Sequence, residues 1–197
     1  MYLFAVDPGL TGALAVFRGE DLVGLFDLPT SDSGKGFVHR VIDGEALAQK
    51  LGEFTDGACV TQRMIVERVN AMSKQGVASV FSLGDSRGCI RGVAQAMGIA
   101  YEEVPPSRWK KDMGLAMPKP PQEMTRKERD ARKKVAKQKS REMAAAWFPQ
   151  VAEMLKREKD HGRAEALLIG HWATKGLGNE RGLESGARLG EGIHQRA

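Results

Sequence analysis

The first 28 residues hold three short apolar runs, Tyr2 to Val6, Ala13 to Phe17 and Leu22 to Leu28, separated by the turn signals Asp7-Pro8-Gly9 and Arg18-Gly19-Glu20-Asp21. Runs this short, joined this tightly, predict an antiparallel meander that opens a mixed sheet. Residues 30 to 36 are polar and glycine-containing and predict a loop. Asp43 is placed to cap a helix running to about Phe54, with Ala46, Leu47 and Leu51 on its inner face. Met64 to Glu67 reads as a fourth strand, 73 to 97 as a long helix, and Tyr101 to Val104 as a fifth strand stopped by Pro105-Pro106. Residues 107 to 123, with Pro118, Pro120, Pro121 and Gly114, predict an extended loop. A basic helix follows from about Thr125 to Phe148, ended by Pro149, and a last helix from about Asp160 to Lys175 carries Ala164, Leu167, Leu168 and Trp172 on one side. The pattern is α/β: a mixed sheet of about five strands flanked by helices, spanning 1 to 176, with a flexible tail over 177 to 197.

A chain of 197 residues suits one domain with a full core. It lacks both a basic leader and the roughly 20 consecutive apolar residues of a membrane span, so a cytoplasmic protein is expected. Cys59 and Cys89 lack zinc-site spacing and are expected as buried thiols. Charge is more informative. Residues 106 to 141 contain 13 Lys and Arg against 4 Asp and Glu, whereas the whole chain has 30 and 25, leaving 17 basic and 21 acidic residues elsewhere. The basic excess therefore sits in one segment, as expected of a phosphate-backbone contact; a solvated helix face is the alternative. The candidate DNA-binding residues there are Arg108, Trp109, Lys110, Lys111, Lys133, Lys134, Lys137, Lys139 and Arg141, with Trp109 read either as a platform for an unpaired base or as a core anchor.

Carboxylates fall at the ends of the apolar elements. Asp7 ends the first strand, Glu67 ends the fourth, and Asp160, His161 and Glu165 gather at the start of the last helix. In a mixed sheet the first and fourth strands can lie side by side and parallel, which brings Asp7 and Glu67 to one edge. Acids converging from separate elements suit Mg²⁺, which prefers oxygen ligands and is commonly held between carboxylates and substrate phosphates. Two such ions support in-line phosphodiester displacement. Taken singly, Asp7 also fits a turn, Glu67 a surface acid and Asp160 a helix cap. His161 and Glu165 lie four apart, on one helical face, which favours His161 over Asp160 as companion to Glu165. Gly84, Gly88 and Gly92 form a smooth stripe on the long helix, packed either on the sheet or against a partner helix.

Four motifs in order, Asp7-Pro8-Gly9-Leu10-Thr11-Gly12, Val66-Glu67-Arg68-Val69, Leu83-Gly84-Asp85-Ser86-Arg87-Gly88 and Arg163-Ala164-Glu165-Ala166-Leu167-Leu168-Ile169, resemble those of the RuvC-type Holliday junction resolvases, and among them the bacteriophage RuvC-like group. The resemblance covers residues 1 to 175 and implies a ribonuclease-H-like fold. It further implies a homodimer that nicks four-way DNA junctions on two opposing strands with Mg²⁺ or Mn²⁺, two ions per site. Asp7, Glu67 and Glu165 carry over as metal-binding carboxylates, with His161 or Asp160 as a fourth ligand, because Gly162 stands where the family places an acid or histidine. Lys137 resembles a lysine near the family's catalytic site. Within a basic insertion near 107 to 141, the proline-rich stretch 115 to 134 looks longer than the corresponding connection in the bacterial resolvases. The opening Asp-Pro-Gly motif also resembles the phosphate hairpin of sugar kinases and actin-like ATPases, which need a second domain that this chain is too short to supply. A nuclease for other branched DNA or RNA, and a DNA-binding module without catalysis, are the remaining alternatives.

Overall fold

The computed structural model describes residues 1–33, 40–54, 61–69, 76–121 and 123–176. The expected tail over 177–197, the first residues of the expected long helix and Cys59 lie outside them. The strands are β1 (Tyr2–Asp7), β2 (Ala13–Arg18), β3 (Asp21–Asp27), β4 (Thr30–Asp32), β5 (Arg40–Ile42), β6 (Gln62–Glu67) and β7 (Ala100–Val104). The helices are α1 (Gly44–Gly52), α2 (Val77–Ala96), α3 (Pro106–Asp112), α4 (Arg126–Trp147) and α5 (His161–Thr174), with 3₁₀ turns at Pro149–Leu155 and Glu158–Asp160.

Five strands form one mixed sheet in the order β3-β2-β1-β6-β7. The meander β1–β2–β3 is antiparallel, whereas β6 pairs parallel to β1 and β7 parallel to β6. The expected α/β architecture is present. Strand periodicity then sorts the side chains. Leu3, Ala5, Ala13, Ala15, Phe17, Ile65 and Val104 face α3, α4 and α5, while Phe4, Val6, Leu14, Val16, Met64 and Val66 face α1 and α2. Both faces are covered, which accounts for the near-continuous apolar character of β1, β2 and β6.

Helix α5 is the most enclosed of the described helices. From Gly162 to Trp172 every residue except Arg163 and His171 is buried, so the expectation of a one-sided apolar stripe understates how deeply the helix sits between sheet and α4. It reaches the sheet closely because Gly170 meets the Phe17 ring: a Cβ there would overlap the ring atoms. Asp43 does cap α1, accepting from the Ala46 amide at 2.9 Å. Thr125 and Glu128 close a reciprocal capping box at the start of α4.

Two expected loops contain structure. Thr30–Asp32 pairs with Arg40–Ile42 as a separate two-stranded ribbon. Pro106 begins α3 instead of prolonging a loop, because the first helical position needs no amide hydrogen and the fixed φ of proline suits it. The glycine stripe of α2 does not pack on the sheet: a Cβ at Gly84, Gly88 or Gly92 would meet nothing within 4 Å. Cys89 is half-buried beside the Ile42 carbonyl.

Two glycine substitutions should therefore have opposite signs. Gly170→Ala is expected to lower stability by about 1–3 kcal/mol through overpacking, and Gly88→Ala to raise it by about 1 kcal/mol through helix propensity. Thermal denaturation of the two variants checks this; equal effects would mean that α5 does not approach β2 as described.

Candidate metal centre and nucleic-acid interface

Parallel pairing places Val6 beside Val66, and one residue further along Asp7 and Glu67 continue the rows that face α5. Glu165 projects from the second turn of α5 towards them. One carboxylate oxygen from each of Asp7, Glu67 and Glu165 lies within 4.8 Å of the others. The turn after β1 is cut to this shape: a Cβ at Gly12 would overlap the Asp7 carbonyl oxygen. Helix α5 reaches it through Gly162, where a Cβ would stand 2.7 Å from the Thr11 carbonyl oxygen and 3.0 Å from Asp7 Oδ2. A side chain at 162 would hold Glu165 away from the sheet.

Three acids so close need compensation. The Lys110 ammonium, from α3, lies 2.8 Å from Glu165 Oε1 and 3.6 Å from Glu67 Oε1. It also stands 4.8 Å from the centroid of the Trp109 ring. The Trp109 indole donates to Glu67 Oε1 at 3.0 Å and fixes that carboxylate's orientation. Ser140 Oγ lies 3.5 Å from Glu165 Oε1. Burial pushes the Asp7 carboxyl well above the usual carboxylate range, and the charges of Glu165 and Glu67 push it the same way, against Lys110 and Lys137. Burial likewise raises Glu67, with Lys110 opposing. Lys110 is itself drawn down by burial, yet the carboxylates around it carry it above its ordinary value. The donor set fits a hard divalent cation: all oxygen, negatively charged and short of positive charge.

Neither proposed fourth ligand contributes to this cluster. Asp160 is buried and held by Arg157 through its backbone amide at 2.8 Å and its guanidinium, with Arg163 at 3.7 Å. Burial acts to raise its carboxyl, but the Arg157 hydrogen bonds keep it below the usual range. Its side chain makes no capping bond to α5. His161 directs Nδ1 at the Glu158 carbonyl, 3.3 Å away, and is held below its ordinary pKa by burial and then by Lys137. The face that α5 turns to Asp7 runs through Gly162 and Glu165, three residues apart, instead of His161 and Glu165.

The basic residues divide. Trp109 is fully buried against Glu67 and offers no platform for a base, and Lys110 belongs to the carboxylate cluster. The Arg108 guanidinium lies over the Trp172 ring at 5.5 Å, and Arg141 donates to the Lys156 carbonyl at 3.0 Å, tying α4 to the turns that precede α5. Lys111, Lys133 and Lys139 are exposed, as is Lys134, 3.9 Å from Glu158. Lys137 is half-buried and close enough to Asp7 to oppose the rise of its pKa. Behind the site, Arg87 forks onto Glu103 at 2.6 and 2.7 Å and reaches the Val69 carbonyl, fastening α2 to β7 and to the chain beyond Glu67.

No family model matches the sequence. Residues of this chain are 35% identical over 103 positions to the chloroplastic Holliday junction resolvase MOC1 of Chlamydomonas reinhardtii, a match covering 52% of this chain and 10% of that protein. The fold is similar to that of T. thermophilus RuvC, solved in complex with a Holliday junction substrate, with a TM-score of 0.56 at 16% identity over 91% of this chain and 97% of that one. The chain thus has the RuvC-type, ribonuclease-H-like fold, and half of it is similar in sequence to a Holliday junction resolvase.

The electrostatics give a stability test. An acid whose pKa is raised by folding stays protonated in the native state while the unfolded chain ionises above about pH 3.9, so its contribution to stability falls as pH rises. Metal-free Asp7→Asn is therefore expected to be more stable than wild type at pH 7.5, with the gap closing towards pH 4. Chemical denaturation with chelator at several pH values measures the gap; one that does not change with pH would show that Asp7 is not the strained acid.

Proposed function

We propose that this chain is a structure-selective DNA endonuclease that resolves Holliday junctions by paired, divalent-metal-dependent phosphodiester hydrolysis, with residues 1–176 as its nuclease domain. The observation that carries the reading is the convergence of Asp7, Glu67 and Glu165, from three separate elements, around the Lys110 ammonium. On a sheet of this topology these acids are the groups that would hold Mg²⁺ or Mn²⁺. When bound, such ions activate a water and stabilise the leaving oxygen of the phosphodiester.

The protein's own groups supply the rest. Trp109 keeps one oxygen of Glu67 in a fixed direction. Lys110 balances the acids and would be placed to pair with a non-bridging oxygen of a phosphate held beside them. Lys137 adds positive charge on the Asp7 side. Lys111, Lys133, Lys134 and Lys139 are placed to hold backbone phosphates of the junction arms without reading bases. One acidic set among the described residues calls for a two-fold dimer to make two symmetric cuts, and the open Gly84, Gly88 and Gly92 face of α2 is available for a second copy. No helix among the described residues is long and apolar enough to cross a membrane.

Synthetic four-way, three-way, flap, linear duplex and RNA-hybrid substrates, each with Mg²⁺ or Mn²⁺, test the proposal. Paired nicks in the four-way junction are expected, lost in Asp7→Asn and Glu165→Gln, which should still bind it. Comparable cutting of the linear or hybrid substrates would move the reading to a broader nuclease, and wild type that cuts nothing would leave a DNA-binding module. A second expectation concerns Lys110. A like charge at about 4 Å is worth roughly 4 kcal/mol at an effective dielectric of 20, part of it recovered when the side chain swings away. Lys110→Gln should therefore bind Mn²⁺ about tenfold more tightly by calorimetry; unchanged or weaker binding would mean that the ammonium does not compete with the ion.

A further inference from the structure

The guanidinium of Arg163 forks onto Asp27 at the end of β3, Nε to Oδ1 at 2.6 Å and Nη2 to Oδ2 at 2.5 Å, and its remaining nitrogen donates to the Met154 carbonyl at 3.2 Å. Arg163 follows Gly162 and precedes Glu165 by two residues, so the fork is fastened to the turn of α5 that approaches the acids. We propose that Arg163, acting through Asp27, is a positioning residue: it seats the start of α5 on the sheet and so sets how closely Glu165 stands to Asp7 and Glu67, and with that the affinity of the three acids for a divalent cation. The proposal rests on reading these acids as metal ligands and adds to that reading the pair that holds one of them in place.

Three observations carry it. The anchor is tied to the site: Asp27 pairs with Ala13 across β2 and β3, and the next residue, Leu28, donates its amide to the Gly12 carbonyl at 3.0 Å. Asp27 therefore belongs to the same framework as the turn through Thr11 and Gly12, which is the turn that Gly162 touches. The two contacts of α5 also do different things. At Gly162 a Cβ would stand 2.7 Å from the Thr11 carbonyl oxygen, so that contact only limits how near the helix can come. The fork, one residue further on, supplies the attraction, and a limit with a pull against it defines a distance. Finally, there is an outward force to resist. The charge of Glu165 raises the carboxyls of both Asp7 and Glu67, which is their mutual repulsion seen from the other side. Lys110 meets Glu165 only at the tip of its side chain, at 2.8 Å, and leaves the backbone of α5 to be held by other means.

An arginine fork suits this role because two parallel bonds fix direction as well as distance, whereas a lysine offers a point charge. The Arg163 side chain is only 16% exposed but Asp27 is 63% exposed. An ion pair with one wet partner adds little to overall stability, so its effect is expected in the geometry of the site more than in the melting temperature.

The test uses the full chain with Mn²⁺ as the probe. Asp27→Asn removes the acceptor charge, and Arg163→Lys keeps the positive charge but loses the fork. Calorimetry should show each binding Mn²⁺ about tenfold more weakly than wild type, as is usual when a group that orients a metal ligand is lost. The double variant should be no weaker than either single one, because both remove the same interaction. Single-turnover cleavage of a four-way junction at sub-saturating Mn²⁺ should slow by a similar factor, while junction binding in EDTA stays unchanged. Ile90→Val, buried on the opposite face of the sheet, lowers stability without touching the fork and should bind Mn²⁺ as wild type does. Wild-type Mn²⁺ affinity in Asp27→Asn and Arg163→Lys, losses that add in the double variant, or an equal loss in Ile90→Val would overturn the positioning role alone. Wild type that binds Mn²⁺ but cuts no branched DNA would overturn the nuclease reading and leave the pair to be decided by the Mn²⁺ affinities. Wild type that binds no Mn²⁺ would overturn the metal reading, and the positioning role with it.

Discussion

The parallel pairing of β1 with β6 in a single register puts Asp7 and Glu67 side by side on the face that α5 covers, and the surrounding structure answers that placement. A slip of one residue would send one acid to the α1 and α2 face and the cluster would not exist. Buried rows of aliphatic side chains on both faces oppose such a slip, so the core that stabilises the sheet also sets the spacing of the acids. Their mutual repulsion is then met by groups from outside the sheet, an ammonium from α3 and an indole hydrogen bond, while the missing side chain at Gly162 admits the helix that brings the third acid.

This arrangement accepts instability for the sake of charge. Asp7 and Glu67 would be more comfortable as amides or hydrocarbons, since burial without full pairing penalises an ionised carboxylate. Elsewhere the chain treats buried or partly buried acids differently. Asp160 lies within Arg157 and Arg163, and Glu103 within Arg87, Arg68 and Tyr101, and both are held below the usual range. The contrast separates acids that fasten elements together from acids kept short of positive charge.

Much of this was legible in the sequence. The five strands of the main sheet, the helices other than α3, and the three acids at the ends of their elements followed from apolar runs, turn signals and position, because periods of 2 and 3.6 are local properties. The partners of the acids were not. Lys110 and Trp109 were read with the DNA-binding residues because their neighbours Arg108 and Lys111 are basic; that α3 folds back onto β6 is a tertiary fact, and Pro105-Pro106 looked like the start of a loop. The choice between Asp160 and His161 rested on helical spacing alone. What decides the face of α5 is the contact of Gly162 with the Thr11 carbonyl, and a glycine gives no sign in sequence of what it lies against.

Helix α4 has a consequence of its own. Between Arg126 and Trp147 it carries nine Lys and Arg against three Asp and Glu, and of its 22 residues only Ser140 and Ala144 are buried. Little packing holds the amino-terminal part, so the cap at Thr125 and the spacing of like charges govern how firmly it stays wound. Dissolved electrolyte screens that self-repulsion and steadies the helix, while the same screening weakens any hold on a polyanion. Ionic strength thus acts on α4 with opposite signs: the medium in which the free helix is best formed is the one in which it attracts phosphate least, and a nucleic acid lying along it would take over the neutralising role of the salt.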